Sequence, residues 1–339
     1  MDGVPGGSEI EIACDESGFT GGNLVGGQGR VFSHASVRLD RAVAGELVHD
    51  LREGIGAETV ELKAGQLLRH KHRPVVGWLL SPTSPLSRNA QVHLTDTAFF
   101  VLARLVDLLI GQEEVRATTS PGRDPRNREM AVTLYREGPR SYGSGVWQQF
   151  LTLATNVMRT NNRWLPKNSV ELLFELVEAM LQRGEPNPTA RVLELVHEAR
   201  PVAVATRAAQ EENRRRTPLM EPVIPALARA VEFWGAHAEA VSVVHDEQSA
   251  LTPDRLSDIA ATYAADHPGR CLASVRLVDS KTDPRVQVAD VLAGIARRLA
   301  QGQLDGHGDE FIALLRPYVD PQSTWADSQS WVALSPGLR

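Results

Sequence analysis

Cysteine, lysine and uninterrupted apolar stretches are all scarce in this chain. Two cysteines, Cys14 and Cys271, occur among 339 residues. Two thiols build no disulfide scaffold and are too few for a cysteine-based zinc site, so both are expected to be small buried side chains in strands. Lysine occurs only as Lys63, Lys71, Lys167 and Lys281, so nearly all the positive charge is arginine. The longest apolar stretch, Ala98 to Ile110, is broken by Arg104 and Asp107 and falls short of the roughly 20 residues that a membrane-spanning helix needs. No membrane span is expected. Met1 to Ser8 is glycine-rich, with an acid where a secretory leader carries basic residues, so the expected location is the cytoplasm. No Gly-Lys-Ser/Thr follows the glycine-rich stretch Gly21 to Gly29, which argues against a phosphate loop. His70 and His72 lack the i, i+4 spacing of helical zinc sites and are expected at the surface.

What is present is ordinary in bulk. Apolar residues make up 42% and charged residues 23%, the composition of a folded, water-soluble chain of one enlarged domain or two. The net charge of -6 does not point to a nucleic-acid partner, nor does it oppose one, because bound cations would offset a cluster of metal-binding acids.

Hydrophobic periodicity divides the chain. Ile10 to Cys14 and Val31 to Leu39 alternate as two neighbouring strands. Arg41 to Arg52 has helical spacing and ends at Gly54 as a glycine cap. Thr59 to Leu62 reads as extended, Val75 to Leu80 as a strand, Gln91 to Thr95 as a strand, and Thr97 to Ile110 as a helix. From Ser144 to Trp234 strand signals stop and helices are expected, with Ser169 and Thr189 as caps and Pro201 as a stop. Thr118 to Arg128 and Gln210 to Pro218 read as linkers; the latter holds Arg214, Arg215 and Arg216, a solvated face or a contact for a polyanion. Strands return at Val241 to His245 and Cys271 to Val278, with a helix at Pro253 to Ala265 between them and a last helix from Arg285 to Ala300. The expected architecture is α/β, a sheet domain built from residues 1–135 and 236–339 and interrupted by a helical insertion at 136–235.

Asp15, Asp246 and Asp279 each follow a predicted strand, and α/β sheets place ligands at the C-terminal ends of their strands. Several carboxylates brought together suit Mg²⁺ or Mn²⁺, and are costly to assemble without a cation. Taken alone, Asp15-Glu16-Ser17-Gly18 could be a turn, and Asp290, beside apolar positions 288, 291 and 292, could serve a structural ion pair with an arginine.

Taken together, Asp15-Glu16-Ser17-Gly18, Glu61-Leu62-Lys63, His245-Asp246-Glu247, Asp279-Ser280-Lys281 and Gln287 to Gly294 (Gln-Val-Ala-Asp-Val-Leu-Ala-Gly) resemble the domain-of-unknown-function family 3800. The resemblance runs from Ile10 to about Ala300, and its C-terminal motif is the specific one. It implies a ribonuclease-H-like mixed central sheet flanked by helices. It also implies a metal site of Asp15, Glu61, Asp246 and Asp290 holding Mg²⁺ or Mn²⁺, in which Asp15 bridges, Glu61 and Asp246 serve one ion, and Asp290 serves the other. Glu16, Lys63, His245, Asp279 and Lys281 are then candidate phosphate or supporting contacts. Asp96 matches a family position where lysine follows the acid; here Thr97 follows. The function implied is phosphodiester hydrolysis of DNA or RNA by two metal ions roughly 3.5 to 4 Å apart. The rival expectations are a non-catalytic scaffold whose helical insertion holds a protein partner, and a hydrolase of a small phosphate ester.

Overall fold

The alternation that begins at Ile10 continues through the acids: the first strand spans Glu9–Ser17, so Asp15, Glu16 and Ser17 are strand residues and not a turn. The computed structural model describes residues 9–18, 24–25, 29–56, 62–159, 168–183, 187–212, 218–236, 238–266, 268 and 270–336. Five strands, β1 (Glu9–Ser17), β2 (Val31–Val37), β3 (Ala90–Asp96), β4 (Ala240–Asp246) and β5 (Cys271–Val278), form one sheet in the order β3-β2-β1-β4-β5. β2 is antiparallel to β1 and β3, whereas β4 is parallel to β1 and β5. The sheet is therefore mixed and flanked by helices, as expected.

The helices are α1 (Arg41–Ile55), α2 (Ala64–Leu67), α3 (Arg73–Leu79), α4 (Thr97–Leu109), α5 (Pro125–Tyr142), α6 (Ser144–Met158), α7 (Ser169–Arg183), α8 (Pro188–Glu198), α9 (Arg200–Glu212), α10 (Val223–Gly235), α11 (Pro253–Asp266), α12 (Pro284–Leu304), α13 (Ile312–Leu315) and α14 (Ser328–Leu334). They share three cores. On one sheet face Ala13, Val31, Ala35, Val92 and Val244 pack with α12, α1, α3 and the C-terminal segment. On the other, Ile12, Cys14, Phe32, Val241 and Val243 pack with α10 and α11. The third joins α4 to α5 through α9. α12 lies between β1 and β2 on one side and α1 and α14 on the other. This explains why Ala289, Ala293 and Ala296 are buried along with the expected stripe of Val288, Val291, Leu292 and Ile295. Each fully buried Leu or Ile contributes about 2 kcal/mol of transfer free energy.

Several local expectations change. Val75 to Leu80 is not a strand: Pro74 opens α3, and Val76 and Leu79 are buried at helical spacing. A short apolar run does not distinguish the two periods, whereas proline in a first turn favours a helix. α1 runs past Gly54 to Ile55, and Gly56 at φ 60° is its cap. Asn187, not Thr189, caps α8, accepting the Ala190 N–H at 2.9 Å. α8 ends at Glu198, before Pro201 as expected, and Pro201 sits in the first turn of the next helix, α9, where its missing N–H costs nothing.

The linker expected at Thr118 to Arg128 ends inside α5, which Asp124 caps and which crosses the 135/136 boundary. α10, although within 136–235, packs on the sheet. His72 is buried at 8% exposure, against expectation, whereas His70 is exposed. Most of Thr59 to Leu62 and the arginines 214 to 216 lie outside the described residues. α12 is not the last helix, and residues beyond it bridge to β3 through Val92–Val319 and Thr95–Thr324. Among the described residues no helix is long and apolar enough to cross a membrane.

Candidate metal centre

Strand pleat decides which acids meet. Cys14 pairs with His245 across the parallel β1–β4 ladder, and both belong to the α10 side. The next residue on each strand, Asp15 and Asp246, therefore faces the α12 side. α12 brings Asp290 to the same place, between the buried Ala289 and Val291. Asp15 is only 5% exposed. Burial, and then the charges of Glu16, Asp290 and Asp246, push its carboxyl up to about 9, although the Glu16 backbone N–H donates to Oδ1 at 2.6 Å. Without a counter-charge Asp15 keeps its proton at neutral pH. Asp246 is half-buried and accepts the Ser280 N–H through Oδ1 at 2.9 Å, which fastens the turn 280–282 to the end of β4.

The other predicted residues separate into four groups. Asp279 is exposed and caps that turn, accepting the Lys281 N–H at 3.0 Å; Lys281 is exposed on it. Lys63 is exposed at the start of α2, whose Ala64 abuts Gly294 of α12 so closely that a Cβ on Gly294 would lie 2.6 Å from the Ala64 Cβ. Glu61 lies outside the described residues. Asp96 is buried and structural: its Oδ1 caps α4 through the Ala98 N–H, and its Oδ2 accepts from Arg30 and Tyr135.

Glu16 and His245 point through the sheet to the α10 side. There Gln248 donates to Glu16 Oε1, and His245 Nε2 stands 3.8 Å from Glu16 Oε2 and 3.2 Å from His34 Nε2. His245 Nδ1–H donates to the Asp246 carbonyl at 2.9 Å, which leaves Nε2 as the acceptor for His34 Nε2–H. His34 is held neutral, its pKa lowered by burial and then by His245 and His93. His245 thus reaches the acids through the Asp246 backbone. Burial, followed by Asp15 and Glu16, raises the Cys14 thiol well above its ordinary value and keeps it inert.

The donor set is hard oxygen, which fits Mg²⁺ or Mn²⁺ in kind. As placed, no three His, Cys, Asp or Glu side chains among the described residues are gathered as the ligands of one ion. The carboxylates are within electrostatic reach of one another without forming a closed coordination set. Ser17 and Arg297, which also line this end of the sheet, were missed from sequence. Their signal was the period itself: Ser17 is two residues past Asp15 on one strand, and Arg297 seven past Asp290 on one helix. Comparison with known proteins gives no match: no family model, no curated protein and no solved structure matches the chain.

Proposed function

We propose that this protein is a divalent-metal-dependent nuclease with a ribonuclease-H-like core, similar to the domain-of-unknown-function family 3800. The observation that carries the reading is the approach of Asp246 and Asp290, from a strand end and a distant helix, to Asp15, whose carboxyl is raised by burial and then by its acidic neighbours. The family resemblance implies a mixed sheet with acids on the first strand, a later element, a following strand and the last helix; the sheet here is mixed, with Asp15 on β1, Asp246 on β4 and Asp290 on α12, which α13 and α14 follow. When bound, Mg²⁺ or Mn²⁺ would supply water activation and counter-charge for a leaving oxygen. The protein's part is to hold the carboxylates. Asp15 is fixed by a central strand, Asp246 by the Ser280 N–H, and Asp290 by a helix packed on both sides. Glu61 completes the proposed set.

The test is cleavage of labelled single-stranded, duplex and hybrid DNA and RNA with Mn²⁺ by wild type, Asp15→Asn and Asp290→Asn. Metal-dependent cleavage by wild type that both substitutions abolish is the expected result; cleavage that survives both refutes the assignment. A second reading, a scaffold that binds a protein partner through its helical part, is favoured by Leu195, Val202 and Val204, which are 42%, 44% and 50% exposed on α8 and α9. It predicts no thermal response to Mn²⁺.

A further inference from the structure

Beside the acids, α12 carries two adjacent arginines with little to hold. Arg297 lies seven residues past Asp290, two turns or about 10 Å along the same helix face. Its Nε–H donates to Ser17 Oγ at 3.1 Å, its one hydrogen bond among the described residues, and no described carboxylate pairs with it. The guanidinium runs between two glycines whose backbones are left-handed. A Cβ on Gly18, at φ 107°, would lie 2.5 Å from Arg297 Cδ, and one on Gly29, at φ 123°, would lie 3.8 Å from its Nη1. A side chain at Gly18 would collide with the arginine and with the Val31 carbonyl, whereas at Gly29 it would touch the arginine only at ordinary contact distance. Arg298 is exposed, and its Nη2 would stand 2.9 Å from a Cβ on Gly65. Burial and then the neighbouring Arg298 lower the pKa of Arg297. Arg30, Arg73, Arg229 and Arg285 are each paired with an acid, Asp96, Asp309, Asp320 and Asp283 in turn, whereas buried Arg104 donates to the backbone carbonyls of Arg116, Ala117 and Thr119.

We infer that Arg297 and Arg298, with the Ser17 hydroxyl, form a phosphate-binding site about two helix turns along α12 from Asp290. Planar guanidinium forks match phosphate oxygens, and a half-buried arginine beside an exposed one of like charge gains from an anion what it lacks from the protein. The ligand class is a phosphate group, from a nucleic-acid backbone or from a small phosphate ester. The nucleic-acid form rests on the nuclease reading and would hold the strand beside the point of cleavage.

The test is done in chelator, without cleavage. Inorganic phosphate is followed by thermal shift, and a short labelled single-stranded oligonucleotide by anisotropy across a salt series. Wild type is expected to bind both probes. Arg298→Glu, at an exposed position that leaves the fold intact, and Arg297→Ala should each weaken oligonucleotide binding about tenfold and abolish the phosphate shift. Each removed arginine should lower the salt slope by about one, and Arg297→Lys should recover part of the affinity. Binding of both probes by Arg298→Glu and Arg297→Ala as tightly as by wild type overturns the site. Phosphate binding lost in the variants while Mn²⁺ gives no cleavage in wild type sinks the nuclease and keeps the arginine site. A phosphate response without oligonucleotide binding assigns the site to a small ester.

Discussion

Two buried aspartates on opposite sides of the sheet meet opposite fates. Asp15, 5% exposed on the α12 side, has acids for neighbours and is pushed up to about 9. Asp320, fully buried on the α10 side, is held well below the usual carboxylate range. Burial alone would raise it too, but the hydrogen bond and charge of His93, and then those of Arg229, outweigh that cost. His93 Nδ1 lies 2.9 Å from Oδ2, and Arg229 donates to both oxygens at 3.1 Å. The backbone N–H of Asp320 donates to the Val92 carbonyl at 2.8 Å, so the clamp ties the C-terminal segment, β3 and α10 together. One acid is satisfied by the protein and does structural work. The other has acids for neighbours and a backbone N–H as its hydrogen-bond donor, the kind of perturbed carboxyl that the proposed metal site requires.

The largest effect should come from removing the acids of the proposed metal site. Asp15→Asn and Asp290→Asn are each expected to reduce Mn²⁺-dependent cleavage at least about 100-fold, the scale of losing several kcal/mol of metal-assisted stabilisation. Single-turnover assays at saturating oligonucleotide check this. Next, breaking the satisfied pair by Arg229→Met should destabilise the fold by about 3 to 5 kcal/mol, because Asp320 would be left buried with half its compensation; urea melts at pH 7 measure it. The pH sign follows from a lowered folded pKa. Stability from Asp320 is present above the unfolded carboxyl value of about 3.9 and is lost as pH falls below it towards the folded value. The gap between wild type and Arg229→Met should therefore narrow in acid.

Asp15 should behave in the reverse sense. A carboxyl raised in the folded state binds its proton more tightly there than in the unfolded chain, so wild type loses stability as pH rises from about 4 towards its folded value of about 9. In chelator, Asp15→Asn should melt higher than wild type, on the order of 5 °C at neutral pH, with a difference that grows over that window. Saturating Mn²⁺ should cancel it by stabilising wild type alone. A mutant that melts lower in chelator at every pH would mean that Asp15 is structural, and the contrast with Asp320 would collapse.

This contrast was half legible in the sequence. The strands carrying Asp15 and Asp246 were readable because alternation and β-branched runs mark them, and Asp290 because an acid on a buried helix asks for a reason. The split of Asp15 from Glu16 across the sheet was implicit in the two-residue period, yet which face each would take depends on the partner strands. Asp320 carried no signal. It follows a short 3-10 turn at 316–318, and its partners His93 and Arg229 are brought to it only by tertiary packing. The Val75 to Leu80 run differs from expectation because a run of six residues, five of them apolar, fits either period, and Pro74 was the only local arbiter.

The smallest effect separates the two faces most directly, since β2 presents one buried serine to each. On the α10 side, Ser36 Oγ accepts the Trp234 Nε1–H at 2.8 Å, and Trp234 is 4% exposed. Ser36→Ala strands that donor, with an expected cost of about 1 to 3 kcal/mol. On the α12 side, Ser33 Oγ donates to the Ala293 carbonyl at 2.7 Å. That carbonyl lies inside α12 and also accepts the helix's own N–H from four residues on. Ser33→Ala leaves no group without a partner and should cost about 1 kcal/mol or less. Paired urea melts of the two variants test whether buried polar groups on the α10 side are the more tightly committed to the fold. Equal costs, or a larger cost at Ser33, would show that the α12 side is held by its polar contacts as firmly as the α10 side, and that the freedom assigned to Asp15 is a property of one residue rather than of a face.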